Sequence, residues 1–247
     1  MHQKGLLTYA LNSIGNLVYI DEVDTGQLCN CYCPSCKEKL VAKNGGMKRV
    51  HHFAHASGVD CENAYETMLH QLAKLRVQEA FLSKEVFNVG FEYRSYCPHV
   101  KTCAFVRYGN CYISTHKRFN LKEFYDSCEQ EIQYDSINRR SDLKIFSSKK
   151  PQLAPIYIEF FVTHASDVSK LHNGGKIIEV KIESENDIQR IVDDGFIESS
   201  KCDSRLLEGI ESENISETTF WGFKSEDYDA KNITQEIEFS RYILYAS

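Results

Sequence analysis

The sequence contains no apolar run of the length a bilayer core demands, which excludes a hydrophobic spanning helix. Its first residues, MHQKGLLTYALNSIGNLVYIDE, lack the basic, apolar and small-residue succession of a signal peptide. A soluble, cytoplasmic protein with no membrane association is the expectation. There is no surplus of positive charge either: 29 Lys and Arg stand against 35 Asp and Glu, a formal net charge of −6. That balance excludes a protein whose whole surface grips nucleic acid, because phosphate binding scales with the number of neutralising cations. Local basic patches remain open to that role. Repeats and low-complexity tracts are missing, and 42% hydrophobic content over 247 residues excludes wholesale disorder.

What the sequence does have is cysteine. Ten of them ask for an oxidising compartment or for metal, and without an export signal metal is the better account. Two short apolar segments, Thr8–Leu11 and Leu17–Ile20, flank a turn-prone stretch with Ser13, Gly15 and Asn16 and read as a hairpin. Next comes CYCPSCKEKLVAKNGGMKRVHHFAHA, a Cys-x-x-Cys knuckle, a short strand at Leu40–Ala42, a Gly45-Gly46 turn, and a segment ending in His52-x-x-His55. Zinc takes four soft or borderline ligands at tetrahedral corners, and two short-spaced pairs supply them. Cys33, Cys36, His52 and His55 are therefore the expected structural zinc ligands, with His51, Cys61, Cys29 and Cys31 close enough in sequence to replace one. The competing account is a pair of reduced cysteines near two core histidines. Lys37, Lys39, Lys43, Lys48 and Arg49 surround this module, either to meet phosphates or as a solvated basic hairpin.

The spacing of Tyr65, Leu69, Leu72, Ala73, Val77 and Ala80 predicts a helix over about 63–83, with Glu66, His70 and Lys74 along its edge at i, i+4, i+8. A strand follows at 86–94. Residues 96–130 read as a cysteine-rich insertion in which Cys97, His99, Cys103 and Cys111 offer ligands for a second zinc at looser spacing. Strands are expected at 141–146, 155–163 and 176–182, with a short helix at 166–172 between the last two. An acidic helical stretch near 188–195 and late strands near 219–223 and 237–245 complete the pattern. Helix, three strands, helix, strand is an α/β order. The domains expected are a zinc-ribbon-like module over 1–62 and a larger α/β domain over 63–247.

Asp142 opens one of these strands and Glu159 sits inside the next, between Ile156-Tyr157-Ile158 and Phe160-Phe161-Val162. A carboxylate in so apolar a strand is costly unless paired or metal-bound. On neighbouring strands the two acids can face one divalent cation, the arrangement of metal-dependent nucleases. The alternative makes Asp142 a strand-initiating surface residue and Glu159 the partner of Arg139 or Arg140. Restriction-type nucleases commonly carry a lysine two positions after the second acid, and here that position is Phe161. Lys144 and Lys170 are the first substitutes; the literal Glu-x-Lys at Glu179 and Lys181 is a weaker one, since so short a pattern arises by chance.

The knuckle Cys33-Pro34-Ser35-Cys36, the motif His52-Phe53-Ala54-His55, the Glu66-His70-Lys74 helix and the segment RRSDLKIF…IYIEFFVTHASDVSK together resemble the competence protein CoiA family. The resemblance covers about residues 15–75 and 139–182. It implies a restriction-endonuclease-like αβββαβ core of the PD-(D/E)xK type behind the zinc ribbon. It further implies a nuclease site with Mg²⁺ or Mn²⁺ in which Glu66, Asp142 and Glu159 match the metal-facing acids, and His164 and Lys170 the downstream positions. The partner implied is DNA, in uptake, recombination or defence against foreign DNA, with a homo-oligomer or a protein partner in a DNA-processing system compatible with it. The other reading is a catalytically inactive, zinc-containing DNA-binding or adaptor protein.

Overall fold

The computed structural model describes residues 5–59, 61–96, 99, 102, 112–133, 140–163, 176–198 and 218–221. The chain is mixed α/β with a preponderance of strands, and it divides into two compact units. The first comprises Met1–Arg76 and Ile182–Ile188, the second Val77–Lys181 and Gln189–Ser247.

The first unit begins with an antiparallel hairpin, β1 (Tyr9–Leu11) and β2 (Leu17–Tyr19), paired from Tyr9↔Tyr19 to Leu11↔Leu17. Its turn is held by Asn12, whose side-chain oxygen accepts from the amides of Ile14 and Asn16, while Gly15 takes the positive φ of 88° that a side chain would resist. A second antiparallel hairpin follows, β3 (Leu40–Lys43) and β4 (His52–His55), with Leu40 opposite His55 and Lys43 opposite His52. Single bridges, Leu11↔Tyr32, Tyr32↔Lys39, Gly26↔Ala42 and Leu7↔Phe53, stitch the hairpins into one small core around Ala10, Ile20, Leu40, Ala42 and Phe53.

Helix α1 (Ala64–Ser83) starts in the first unit and ends in the second. Strong helix formers fill it, Glu66 sits in its first turn where the helix dipole favours an anion, and Met68, Leu69, Leu72, Ala73, Val77, Ala80 and Phe81 form its buried stripe.

The second unit holds two sheets. Strands β5 (Asn88–Tyr96) and β6 (Tyr112–Asn120) pair antiparallel. They share a three-stranded sheet with β11 (Phe196–Ile197), in the order β11-β5-β6. The larger sheet is built from β7 (Ser127–Gln133), β8 (Arg140–Phe146), β9 (Ile156–Phe161), β10 (Lys176–Lys181) and β12 (Thr218–Trp221). Its order is β12-β10-β9-β8-β7, antiparallel throughout except that β9 and β10 run parallel. Leu143, Ile145, Ile156, Ile158, Phe160, Ile178 and Val180 alternate onto one face and are buried there. Phe91 and Phe220 meet with ring centroids 5.7 Å apart, tying the two sheets together. Helix α2 (Glu185–Asp194) ends at Gly195, whose φ of 83° and amide bond to the Ile191 carbonyl make it the left-handed stop of the helix.

The strand expected at 86–94 is present as β5, but it belongs to the three-stranded sheet. The strand next to β8 is instead β7, which begins at the end of the stretch read as an insertion; its mostly polar run SCEQEIQ hides it from a search for apolar periodicity. The helix expected at 166–172 and the strand at 237–245 lie outside the described residues.

At Gly195 an added Cβ would fall 2.0 Å from the Asn88 carbonyl oxygen, and the backbone is already left-handed. Gly195→Ala is expected to destabilise the protein by about 1–3 kcal/mol, read as a lowered midpoint in urea unfolding.

Candidate metal centre and the acidic strand row

The knuckle of the first unit is a tight reversal. The Cys33 amide donates to the Glu38 carbonyl at 2.8 Å and the Lys37 amide to the Cys33 carbonyl at 3.1 Å. Lys37 takes a left-handed φ of 62° to complete the turn, and its ammonium caps the Pro34 carbonyl at 2.6 Å. Glu38 ties the knuckle to the loop after β4 by accepting from the Ser57 amide. Four ligand atoms gather around this turn, from Cys33, Cys36, His55 and Cys61, all within 4.8 Å of one another; among the described residues this is the His/Cys/Asp/Glu cluster that comes so close. The Cys36 sulfur lies 3.3 Å from Nε2 of His55. Ligands on a tetrahedral zinc sit about 3.5–3.8 Å apart, given Zn–S near 2.3 Å and Zn–N near 2.0 Å, so the cluster fits a structural Cys₃His zinc site.

The expected set of Cys33, Cys36, His52 and His55 is thus brought together in three of its members, with Cys61 in the fourth place. The reason is the strand. His52 and His55 stand three apart on β4, and an odd spacing on a pleated strand sends side chains to opposite faces. His55 shares the inner face with buried Phe53, whereas His52 lies opposite exposed Lys43 and its Nδ1 bonds the Val50 carbonyl at 3.0 Å. Cys61, in the short segment between β4 and α1, comes back to the knuckle. The other substitutes are otherwise engaged: Cys31 Sγ donates to the Cys29 carbonyl, Cys29 Sγ to the Leu40 carbonyl, and His51 bonds Asp21 and the Gly46 carbonyl.

Burial pushes the Cys33 thiol up to about 11, against backbone hydrogen bonds from Cys36 and Ser35 that pull the other way. At Cys61 burial also pushes upward, but hydrogen bonds from Ser35, Cys36, the Asn63 backbone and Cys33 outweigh it and hold that thiol below its ordinary value. A cation in the cluster would supply the charge that three neighbouring thiolates, one of them buried, need.

The second unit carries the carboxylates. Parallel pairing sets Glu159 of β9 directly beside Glu179 of β10, and both are almost wholly buried, at 4% and 5% exposure. One step beyond the Leu143↔Ile158 pair, Asp142 lines up with Glu159, and its Oδ2 accepts the Phe160 amide at 2.8 Å. The register of β7 would set Glu131 opposite Asp142, and there the chain adopts a left-handed φ of 52°. Four acidic positions therefore run in a row across β7, β8, β9 and β10. Asp142 and Glu159 are the expected pair; Glu179 was legible only as half of a chance-level Glu-x-Lys, and Glu131 carries no sequence signal because its strand is polar. Glu66, with His70 and Lys74 one and two turns further on, belongs to the first unit. His164 and Lys170 lie outside the described residues, as do Cys97, Cys103 and Cys111 of the second zinc set; His99 is exposed.

Residues 20–64 match the model of the competence protein CoiA, N-terminal domain. Over that segment the chain is CoiA-like. The match spans the knuckle, β3 and β4 and all four cluster residues, so the candidate metal centre lies wholly inside it. No curated protein and no solved structure matches the chain. Among the described residues no helix is long and apolar enough to cross a membrane.

Cys61→Ala and His55→Ala are each expected to remove one equivalent of zinc per chain, while His52→Ala removes none, as read by elemental analysis of purified protein. Because uptake must displace thiol protons, zinc affinity in a chelator competition should fall as the pH is lowered.

Proposed function

We propose that this protein is a metal-dependent deoxyribonuclease that hydrolyses phosphodiester bonds in a DNA-processing pathway related to competence, uptake, recombination or defence against foreign DNA. The observation that carries the reading is the alignment of Asp142 with buried Glu159 on neighbouring strands. The CoiA-like segment supports it from the other end of the chain.

Asp142 and Glu159 would hold Mg²⁺ or Mn²⁺, which prefer carboxylate oxygens; such an ion supplies a water of lowered pKa and positive charge beside the leaving oxygen. The chain's own residues set the frame for that chemistry. The Phe160 amide orients the Asp142 carboxylate, which keeps its placement independent of side-chain rotamer freedom. The apolar run around Glu159 excludes water on its own strand and strengthens any charge interaction made there. Glu66, His164 and Lys170 remain part of the proposal as the positions that the family resemblance assigns to the site. DNA is the proposed partner, as the substrate.

One observation favours a second reading, a catalytically inactive DNA-binding or adaptor protein: Phe161 occupies the position where a lysine is expected. The two separate cleanly. Purified protein with Mg²⁺ is expected to nick supercoiled plasmid or degrade linear DNA, with Asp142→Ala and Glu159→Ala each slower by more than about 100-fold, beyond the loss typical of residues that merely support a metal ligand. Cleavage that persists unchanged in both variants would sink this site, and salt-sensitive DNA retention without cleavage would establish the adaptor reading.

A further inference from the structure

We infer that Lys181 of β10 stands in for the lysine that Phe161 displaces from β9, with Glu179 as its companion acid. The inference rests on the nuclease reading of Asp142 and Glu159.

The register carries it. β9 and β10 run parallel and pair residue for residue, Glu159↔Glu179 and Phe161↔Lys181. Directly paired residues of a parallel sheet share a face, and neighbouring strands lie about 4.8 Å apart. Lys181 therefore occupies the level and the face of a lysine two residues after Glu159, displaced sideways by a single strand spacing. A flexible four-carbon stem covers that displacement. The Glu-x-Lys at 179–181, uninformative as a string, gains its meaning from the strand beside it.

Charge supports the same assignment. Two carboxylates side by side at 4% and 5% exposure need positive charge close at hand, because burial and mutual repulsion both disfavour the ionised pair. Half-buried Lys181 is two residues from one of them on the same face. The other described lysines of this sheet are placed differently. Lys144 has its ammonium 4.9 Å from the centre of the Phe146 ring, along its own strand in the direction away from Asp142. Lys176 pairs with Ile156 and alternates onto the apolar face of the sheet.

In the proposed hydrolysis, water adds its oxygen to phosphorus as the bond from phosphorus to the leaving sugar oxygen breaks, and one water proton ends on that oxygen. The Lys181 ammonium offsets the charge on the phosphoryl oxygens and orients the incoming water while this happens.

The test compares plasmid nicking in Mg²⁺ by the wild-type protein, Asp142→Asn, Lys181→Met, Lys181→Arg and the double variant Lys181→Met/Phe161→Lys, with the Mg²⁺-induced rise in melting temperature as an independent readout. Lys181→Met is expected to nick at least about 100-fold more slowly while keeping the Mg²⁺-induced rise, since the lysine is not a metal ligand. The double variant, which returns a lysine to the register partner, should recover at least a tenth of wild-type turnover. Should Lys181→Met not fold, Lys181→Arg keeps the charge and serves instead; turnover below a tenth of wild type supports the assignment, because a planar fork does not replace a compact ammonium. Wild-type turnover in whichever lysine variant folds, with Asp142→Asn inactive, overturns the role of Lys181 and leaves the nuclease site standing. Loss of nicking together with the Mg²⁺-induced rise makes Lys181 a structural residue and also overturns it. Equal rates in wild type and Asp142→Asn, or nicking by neither, remove the nuclease reading and this inference with it.

Discussion

The pleat of a β-strand turns successive side chains to opposite faces, and both sites of this protein depend on that alternation. On β4 it parts His52 from His55, leaving one of them for the metal cluster and the other for the solvent side of a hairpin. On β8, β9 and β10 it works the other way, because the registers bring Asp142, Glu159 and Glu179 onto a single face while Leu143, Ile158 and Ile178 make the core behind it. A shift of one residue between β9 and β10 would put Glu179 and Lys181 among the aliphatic side chains and move Ile178 and Val180 to the face that carries the acids. The hydrophobic face therefore fixes the register, and the register in turn fixes which acids are neighbours.

The first unit poses a different constraint. Its hairpins are three and four residues long, joined by isolated bridges, and a core of that size gives little stability by itself. A cluster that draws the knuckle, the end of β4 and the segment leading into α1 to one point closes the module across 28 residues of sequence, from Cys33 to Cys61. Metal binding at such a place is folding free energy, because the ligands are scattered in the unfolded chain. A closed four-ligand shell has no vacant position for a substrate, so a metal held there would organise structure.

Much of this was legible in the sequence. The Cys-x-x-Cys knuckle, the two hairpins, the long helix and the strands bearing Asp142 and Glu159 all announce themselves through spacing or periodicity, since each is a local pattern. What stayed hidden was non-local or non-periodic. Cys61 was one of several possible substitutes for a ligand, and its choice over His51, Cys29 and Cys31 depends on the chain turning back after β4. β7 is mostly polar in sequence, with Cys128 and Ile132 its only apolar residues, so its membership of the main sheet shows in its pairing with β8 more than in its composition. The pairing of Glu159 with Glu179 is a property of two strands separated by a crossover, and no window along the chain contains it. The expected His52 failed for a related reason: a spacing of three suits a helix or a turn, and the segment is a strand.

Folding alone does not account for the acids at 142, 159 and 179. Strands β9 and β10 are buried along nearly their whole length, and at such positions the alternation would be satisfied by valine or leucine. Isosteric apolar replacements of buried charges are commonly neutral or stabilising, so burial by itself does not call for carboxylates at these positions. Next to them Glu131 holds a left-handed backbone that a side chain resists, at the register position facing Asp142. Like charges and a resisted backbone conformation fall on one line across four strands, while the opposite face of the same sheet is aliphatic apart from Ser141, Lys176 and Thr218. Unfavourable features scattered at random would carry no meaning. Their concentration at one level of the sheet is the physical ground for proposing a site there, in the second unit, although the recognisable motif lies in the first.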